Sequence, residues 1–192
     1  MTETFNEPGS DGRVTDDAYG RAFMGGDTIV FFDRVRAPWW LNAAMVTAGA
    51  IGVVAAASTG DATGIVTAGA IAVMTTTMAS MLAMLRTAVT TSQVHIQYGL
   101  FGPKIAVAEI ASVEVVDYEP TRWGGWGIRR GLLGGTAYSI PGKGGKAVRI
   151  TTTSGKVVEV TSQQPAALRS AILEVQAATA QSGSLEAVRD RV

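Results

Sequence analysis

Residues 122 to 135, RWGGWGIRRGLLGG, place two tryptophans, three arginines and six glycines in fourteen positions. Arg122, Arg129 and Arg130 could attract phosphate, while Trp123 and Trp126 carry the flat, half-polar rings that settle at a lipid–water boundary. Near an anionic surface each arginine would contribute about 1 kcal/mol. On this reading the stretch is a contact for anionic lipid headgroups or a partner protein. The same residues also admit a packing role, in which the tryptophans fill one end of a β structure, the arginines stack on them or stay solvated, and the glycines permit bulges.

Other stretches suggest chemistry and then fail its requirements. PGKGGKA (141 to 147) resembles a phosphate loop, but Ala137 and Ile140 occupy the two upstream positions that need glycine, and Gly144 and Ala147 follow the lysines where a hydroxyl belongs. GWGIRRG has Arg130 at the third glycine of G-x-G-x-x-G. Glu109, Glu114, Asp117 and Glu119 fall on a strand and its exit, and alternation sends some to opposite faces, so no acid/base pair forms. Lys143 and Lys146 are expected to tip an exposed hairpin, and His95 to face solvent from a strand. With one histidine and no cysteine, no catalytic residue, metal or cofactor is expected. A net charge of zero offers no basic field for nucleic acid.

The elements around these residues follow from where charge is missing. Hydrophobic residues make up 47% of the 192 and charged ones only 17%, and the deficit is local. Asp61 stands alone, with 24 uncharged residues between it and Arg36 and 24 between it and Arg86. Each run exceeds the roughly 20 residues a helix needs to cross a hydrocarbon core about 30 Å thick. Two antiparallel transmembrane helices, about 38–59 and 63–86, are therefore expected, with Asp61 in the turn between them. At a helix centre an aspartate would cost about 2.5 to 3.5 kcal/mol, and at the water interface it costs little.

Small residues recur every fourth position, Ala44, Ala48, Gly52, Ala56 and Gly60 in the first run and Gly64, Ala68, Ala72, Thr76 and Ser80 in the second. These stripes are expected to face each other. Arg34 and Arg36 precede the hairpin, Arg86 closes it, and Trp39 and Trp40 suit the aromatic belt. With Arg86 they are the expected interface anchors, and the positive-inside rule puts both termini in the cytoplasm of a multi-pass plasma-membrane protein. The competing arrangement is a helical hairpin buried inside a soluble protein.

Residues 1–27 lack apolar periodicity and any signal-peptide core, and read as a disordered tail. Residues 28–90 carry the approach and the hairpin, 91–180 a β domain, and 181–192 a loose tail. In the β domain, VHIQYGLF (94 to 101) alternates, KIAVAEIASVEVVDYE (104 to 119) is β-branched, and AVRITTTSGKVVEV (147 to 160) forms a hairpin around Ser154-Gly155. Ser162, Pro165 and the stripe Leu168, Ile172 and Val175 begin a C-terminal helix that runs to about Thr179.

The order FFDRVRAPWW, membrane hairpin, GLFG-ended strand, KIAVAEIASVEV, glycine-tryptophan stretch, last hairpin and helix resembles small bacterial membrane proteins with a pleckstrin-homology-like (PH-like) cytoplasmic domain, over residues 30 to 176. The resemblance implies an α+β chain, in which a transmembrane helical hairpin precedes a small antiparallel β-barrel or sandwich with a C-terminal helix. It also implies a non-catalytic binding or scaffold module. The expected partners are the bilayer, anionic headgroups, and a membrane protein or further copies of the chain. The other reading is a subunit of an oligomeric transporter or channel with the β domain as regulatory part.

Overall fold

The computed structural model describes residues 27–131, 134–141 and 145–189. The expected tail before residue 27, Lys143 and the last three residues lie outside them. The chain begins with β1 (Ile29–Arg36), then α1 (Trp39–Ala57), α2 (Ala62–Leu82), β2 (Met84–Thr90), β3 (Gln93–Tyr98) and β4 (Lys104–Ala106). A single 3-10 turn (Val107–Glu109) leads to β5 (Ile110–Asp117), α3 (Pro120–Trp123), β6 (Gly127–Arg130), β7 (Thr136–Ser139), β8 (Lys146–Thr152), β9 (Val157–Thr161) and α4 (Pro165–Arg189).

The strands form two sheets, β1-β2-β3-β4 and β5-β8-β9-β7-β6. Neither closes into a barrel, and β7 runs parallel to β9, so the second sheet is mixed and not antiparallel throughout. One apolar core joins the sheets, with Leu85, Val94 and Ile96 from the first meeting Val148, Ile150, Val158 and Val160 from the second. Leu168, Ala171, Ile172 and Val175 bring one stripe of α4 into it. Helix α4 also lies along β5, an edge strand, where Gln176 Nε2 donates to Ile110 O at 2.8 Å and Arg169 Nε to Val113 O at 3.2 Å. An edge covered this way cannot recruit another strand.

The hairpin is rooted inside the first sheet. β1 pairs antiparallel with β2 in a register that ends at Arg36 opposite Met84, and Ala37 N–H donates to Ala83 O at 2.9 Å. The second helix therefore stops at Leu82, where a helix to residue 86 was expected. Thr87, Val89 and Thr90, β-branched and buried, favour the pleated surface they find between β1 and β3. Strands on both sides of the hairpin thus belong to the same β body as residues 93–161.

At 1.5 Å per residue α1 is about 28 Å long and α2 about 31 Å, close to the hydrocarbon thickness. Both are long and apolar enough to cross a membrane, and only 6% and 11% of their spans are buried within the chain. A hairpin core inside a soluble body would be covered, and this one is not.

Gly49 faces Thr75, Gly52 faces Ile71 and Ala56 faces Gly64 across the two helices, and Met45 and Ala68 in line with them are also at least partly buried. The strict four-residue stripes drift off this seam, because four residues turn 400° and each step adds 40°. Ala44, Ala48, Ala72 and Thr76 are accordingly exposed, and alternating steps of three and four hold the contact. A Cβ added at Gly49 would lie 2.5 Å from Thr75 Cγ2, so that glycine sets the closeness of the crossing.

Asp61 caps α2. Its Oδ1 accepts from Gly64 N–H at 2.7 Å and from the Thr59 hydroxyl at 2.8 Å, which holds its pKa below the ordinary carboxylate value. A lowered pKa means the cap is complete at neutral pH and is lost only as pH falls through that depressed value. Asp61→Ala should speed amide hydrogen exchange at Gly64 when the two chains are compared at the same neutral pH, and the difference should vanish as pH falls through the depressed value.

Two further expectations change. His95 is buried, 3% exposed, as is Gln97, so β3 is covered on both faces; burial, with Lys104 nearby, lowers the His95 pKa. The C-terminal helix does not end near Thr179 but runs to Arg189. Residues 177–187 are rich in alanine, with leucine and glutamate, and contain no proline. Gly183 alone costs only about 1 kcal/mol in helix propensity.

Candidate functional site

The tryptophan-arginine-glycine stretch divides into a buried half and an exposed half. Trp123, at the end of the one-turn helix α3, is 5% exposed, and its Nε1–H donates to Glu159 Oε2 at 2.8 Å. Glu159, only 2% exposed, also accepts on Oε1 from Arg149 Nε at 2.8 Å and Nη2 at 2.7 Å. Arg149 and Glu159 are direct partners in the β8–β9 register. Glycines at 131 and 135 leave room for the indole. A Cβ at Gly131 would sit 2.7 Å from Trp123 Cζ3, and one at Gly135 2.9 Å from Val157 O. Trp123 is thus a packing residue.

Trp126 is 47% exposed, and Arg122, Arg129 and Arg130 are exposed around it. Strand β6 is the outer edge of its sheet, so Arg129 and Arg130 project from an edge. Arg129 folds back, its Nε donating to Trp126 O at 2.9 Å. Tyr118 braces the glycine turn from below, its hydroxyl donating to Gly125 O at 2.7 Å and accepting from Ser139 Oγ at 2.8 Å. Burial raises the Tyr118 pKa, with the Ser139 bond opposing.

A cleft of about 230 Å³ lies beside Trp126, lined by Val35, Tyr118, Ile140, Lys146 and Thr161. Val35 is the residue before Arg36 at the end of β1, so the cleft sits by the hairpin root. Its one cationic lining group, Lys146, is 3.2 Å from Asp117 in an exposed pair that adds little stability. Burial likewise raises the Tyr98 pKa, and the charge of Arg129 opposes that rise.

The expected interface anchors gather at the same root. Trp39 and Trp40 open α1 with 81% and 52% exposure. Arg36 is exposed, and Arg34 faces Arg86 in register across β1 and β2, with the Arg34 guanidinium 5.5 Å from the Phe32 ring centroid. Arg86 lies on a strand and not at a helix end. Among the expected anionic-contact residues, then, only Trp123 is withdrawn from the surface.

Sequence reasoning missed β1 and β2, and with them the position of the site relative to the hairpin. The alternation of Phe31 and Val35 in IVFFDRVR could have revealed β1, but Asp33 on the same inward face interrupts it. Its carboxylate accepts from Ser162 Oγ at 2.5 Å and Gln163 N–H at 2.8 Å, at the start of α4. That partner lies about 130 residues away, beyond the reach of local pattern. Among the described residues no group of three or more histidines, aspartates and glutamates could hold a metal ion. No protein-family model, curated protein or solved structure matches this chain.

Proposed function

We propose that the chain is a membrane-anchored, non-catalytic binding module of the plasma membrane. The hairpin crosses the bilayer, both termini lie in the cytoplasm, and a PH-like β body works against the inner leaflet. The observation that carries this reading is the rooting of two exposed apolar helices between paired strands, with Trp39, Trp40, Arg34, Arg36 and Arg86 around the root. Two sheets sharing a core under a C-terminal helix support the PH-like reading of the body.

The binding face is the exposed group Arg122, Trp126, Arg129 and Arg130, and its ligand is an anionic surface, a lipid headgroup or the acidic face of a membrane partner. Two arginines at about 1 kcal/mol each amount to about thirtyfold in affinity. In nanodiscs, adding phosphatidylglycerol to phosphatidylcholine should slow amide exchange over residues 126–130. Arg129→Glu with Arg130→Glu should abolish that response. Slowing in native membranes but not in nanodiscs would point to a protein ligand, and exchange that is the same in all three settings would contradict the proposal.

A further inference from the structure

We propose that the β3–β4 turn, residues 99–102, is a second membrane contact, in which Leu100 and Phe101 enter the headgroup–acyl boundary of the leaflet from which the hairpin leaves. This inference rests on the membrane-anchored reading above. Register places the turn. β1 and β2 meet the hairpin at Arg36 and Met84, and in the next pair of strands Leu85 stands opposite Tyr98. The turn after Tyr98 therefore leaves the sheet at the root, one residue from where α2 hands over to β2.

Composition sets this turn apart from two turns at the opposite end of the body. At the far end β2 joins β3 through Thr91-Ser92, and β8 joins β9 through Thr153, Ser154, Gly155 and Lys156. Val107 N–H to Ser92 O at 2.9 Å and Thr153 N–H to Glu109 O at 2.8 Å tie those turns to one end. They are polar, as turns in water are. At the root end the tip is Leu100 and Phe101, 59% and 61% exposed. Exposed apolar side chains at a turn tip lose no free energy in a lipid boundary, and water disfavours them.

The backbone holds the pair outward. Tyr98 N–H donates to Phe101 O at 2.6 Å and Phe101 N–H to Tyr98 O at 3.0 Å, with Gly99 at φ 61° and Tyr98 itself buried. A glycine at positive φ in the first central position is the pattern of a tight type II′ hairpin. The surface is continuous with the hairpin root, where Trp39, Trp40 and Arg36 are exposed, so the occupant that fits is the bilayer already crossed by α1 and α2.

The chain has no cysteine, so single-cysteine probes need no background removal. Full-length Leu100→Cys and Phe101→Cys, each carrying an environment-sensitive fluorophore, are reconstituted in phosphatidylcholine–phosphatidylglycerol vesicles beside Ile51→Cys in α1 and Ser154→Cys at the far turn. The expected result is that labels at 100 and 101 are quenched by nitroxide lipids of shallow depth and shielded from aqueous iodide, with the label at 154 showing the reverse. Iodide quenching at 100 and 101 equal to that at 154, with the label at 51 still quenched by lipid, would overturn this inference alone. Shielding from both quenchers, as in contact with a second copy, would also overturn it. Loss of lipid quenching at 51 would overturn the anchored reading and this inference together.

Discussion

Arg149→Ala is expected to destabilise the β body by about 3 kcal/mol, read as a lowered unfolding midpoint of the full chain in detergent. The Glu159 carboxylate is 2% exposed and keeps one oxygen on Trp123 Nε1 and the other on Arg149. Removing the cation leaves a charge buried with a single donor, and breaking a buried pair from one side typically costs about 3 to 5 kcal/mol. The Arg149 side chain is 25% exposed, so water reaches part of the site and the lower end of that range applies. Arg149→Lys should recover part of the loss, since an ammonium restores charge but cannot place two donors on one oxygen. Trp123→Phe should cost less, about 1 to 3 kcal/mol, because only one hydrogen bond to the carboxylate is lost. A midpoint unchanged by Arg149→Ala would show that Glu159 is not held as described.

Gly102→Ala should be comparably harmful, about 3 kcal/mol, by a steric route. An added Cβ would lie 1.7 Å from the backbone oxygen of Ile96 and 2.7 Å from its carbon, and backbone has no rotamer to yield. The φ of 156° at this position is one that L side chains rarely adopt. Relief requires shifting the segment whose Pro103 O accepts from Ile96 N–H at 3.0 Å, so β4 would part from β3. The same shift would move Leu100 and Phe101. The check is a stability measurement together with amide exchange at Ile96, expected to quicken. Wild-type exchange at Ile96 would contradict it.

What could be read from the sequence divides along physical lines. The hairpin was legible because charge is excluded from long apolar runs whatever their partners, and Asp61 marked the turn by standing alone between them. The β8–β9 hairpin was legible because Val148, Ile150, Val158 and Val160 alternate with period two and Ser154-Gly155 turns the chain. The segment from 104 to 119 was read as strand throughout, and the 3-10 turn at Val107–Glu109 that passes the chain from one sheet to the other carries no glycine or proline to announce it. The contact between α1 and α2 was read rightly at Gly52, Ala56, Gly64 and Ala68, near the turn, and lost at Ala44, Ala48, Ala72 and Thr76, since a four-residue count ignores the 40° of drift per step.

The candidate site was half legible. Composition located the cluster at 122–135 but could not sort its tryptophans, because Trp123 is buried by glycines at 131 and 135 and by Glu159, partners supplied by tertiary structure. Leu100 and Phe101 stood in the sequence as a strand end. Only the β1–β2–β3 register puts them beside the hairpin root.

The central claim is that both helices cross the membrane and leave the β body inside. An impermeant maleimide applied to intact cells should label a cysteine placed at Ser58 or Thr63, in or beside the short turn, and should reach one at Ser154 only after permeabilisation. Labelling at Ser154 from outside with protection at Ser58 and Thr63 would contradict the account, as would release of the full chain from membranes by alkaline carbonate.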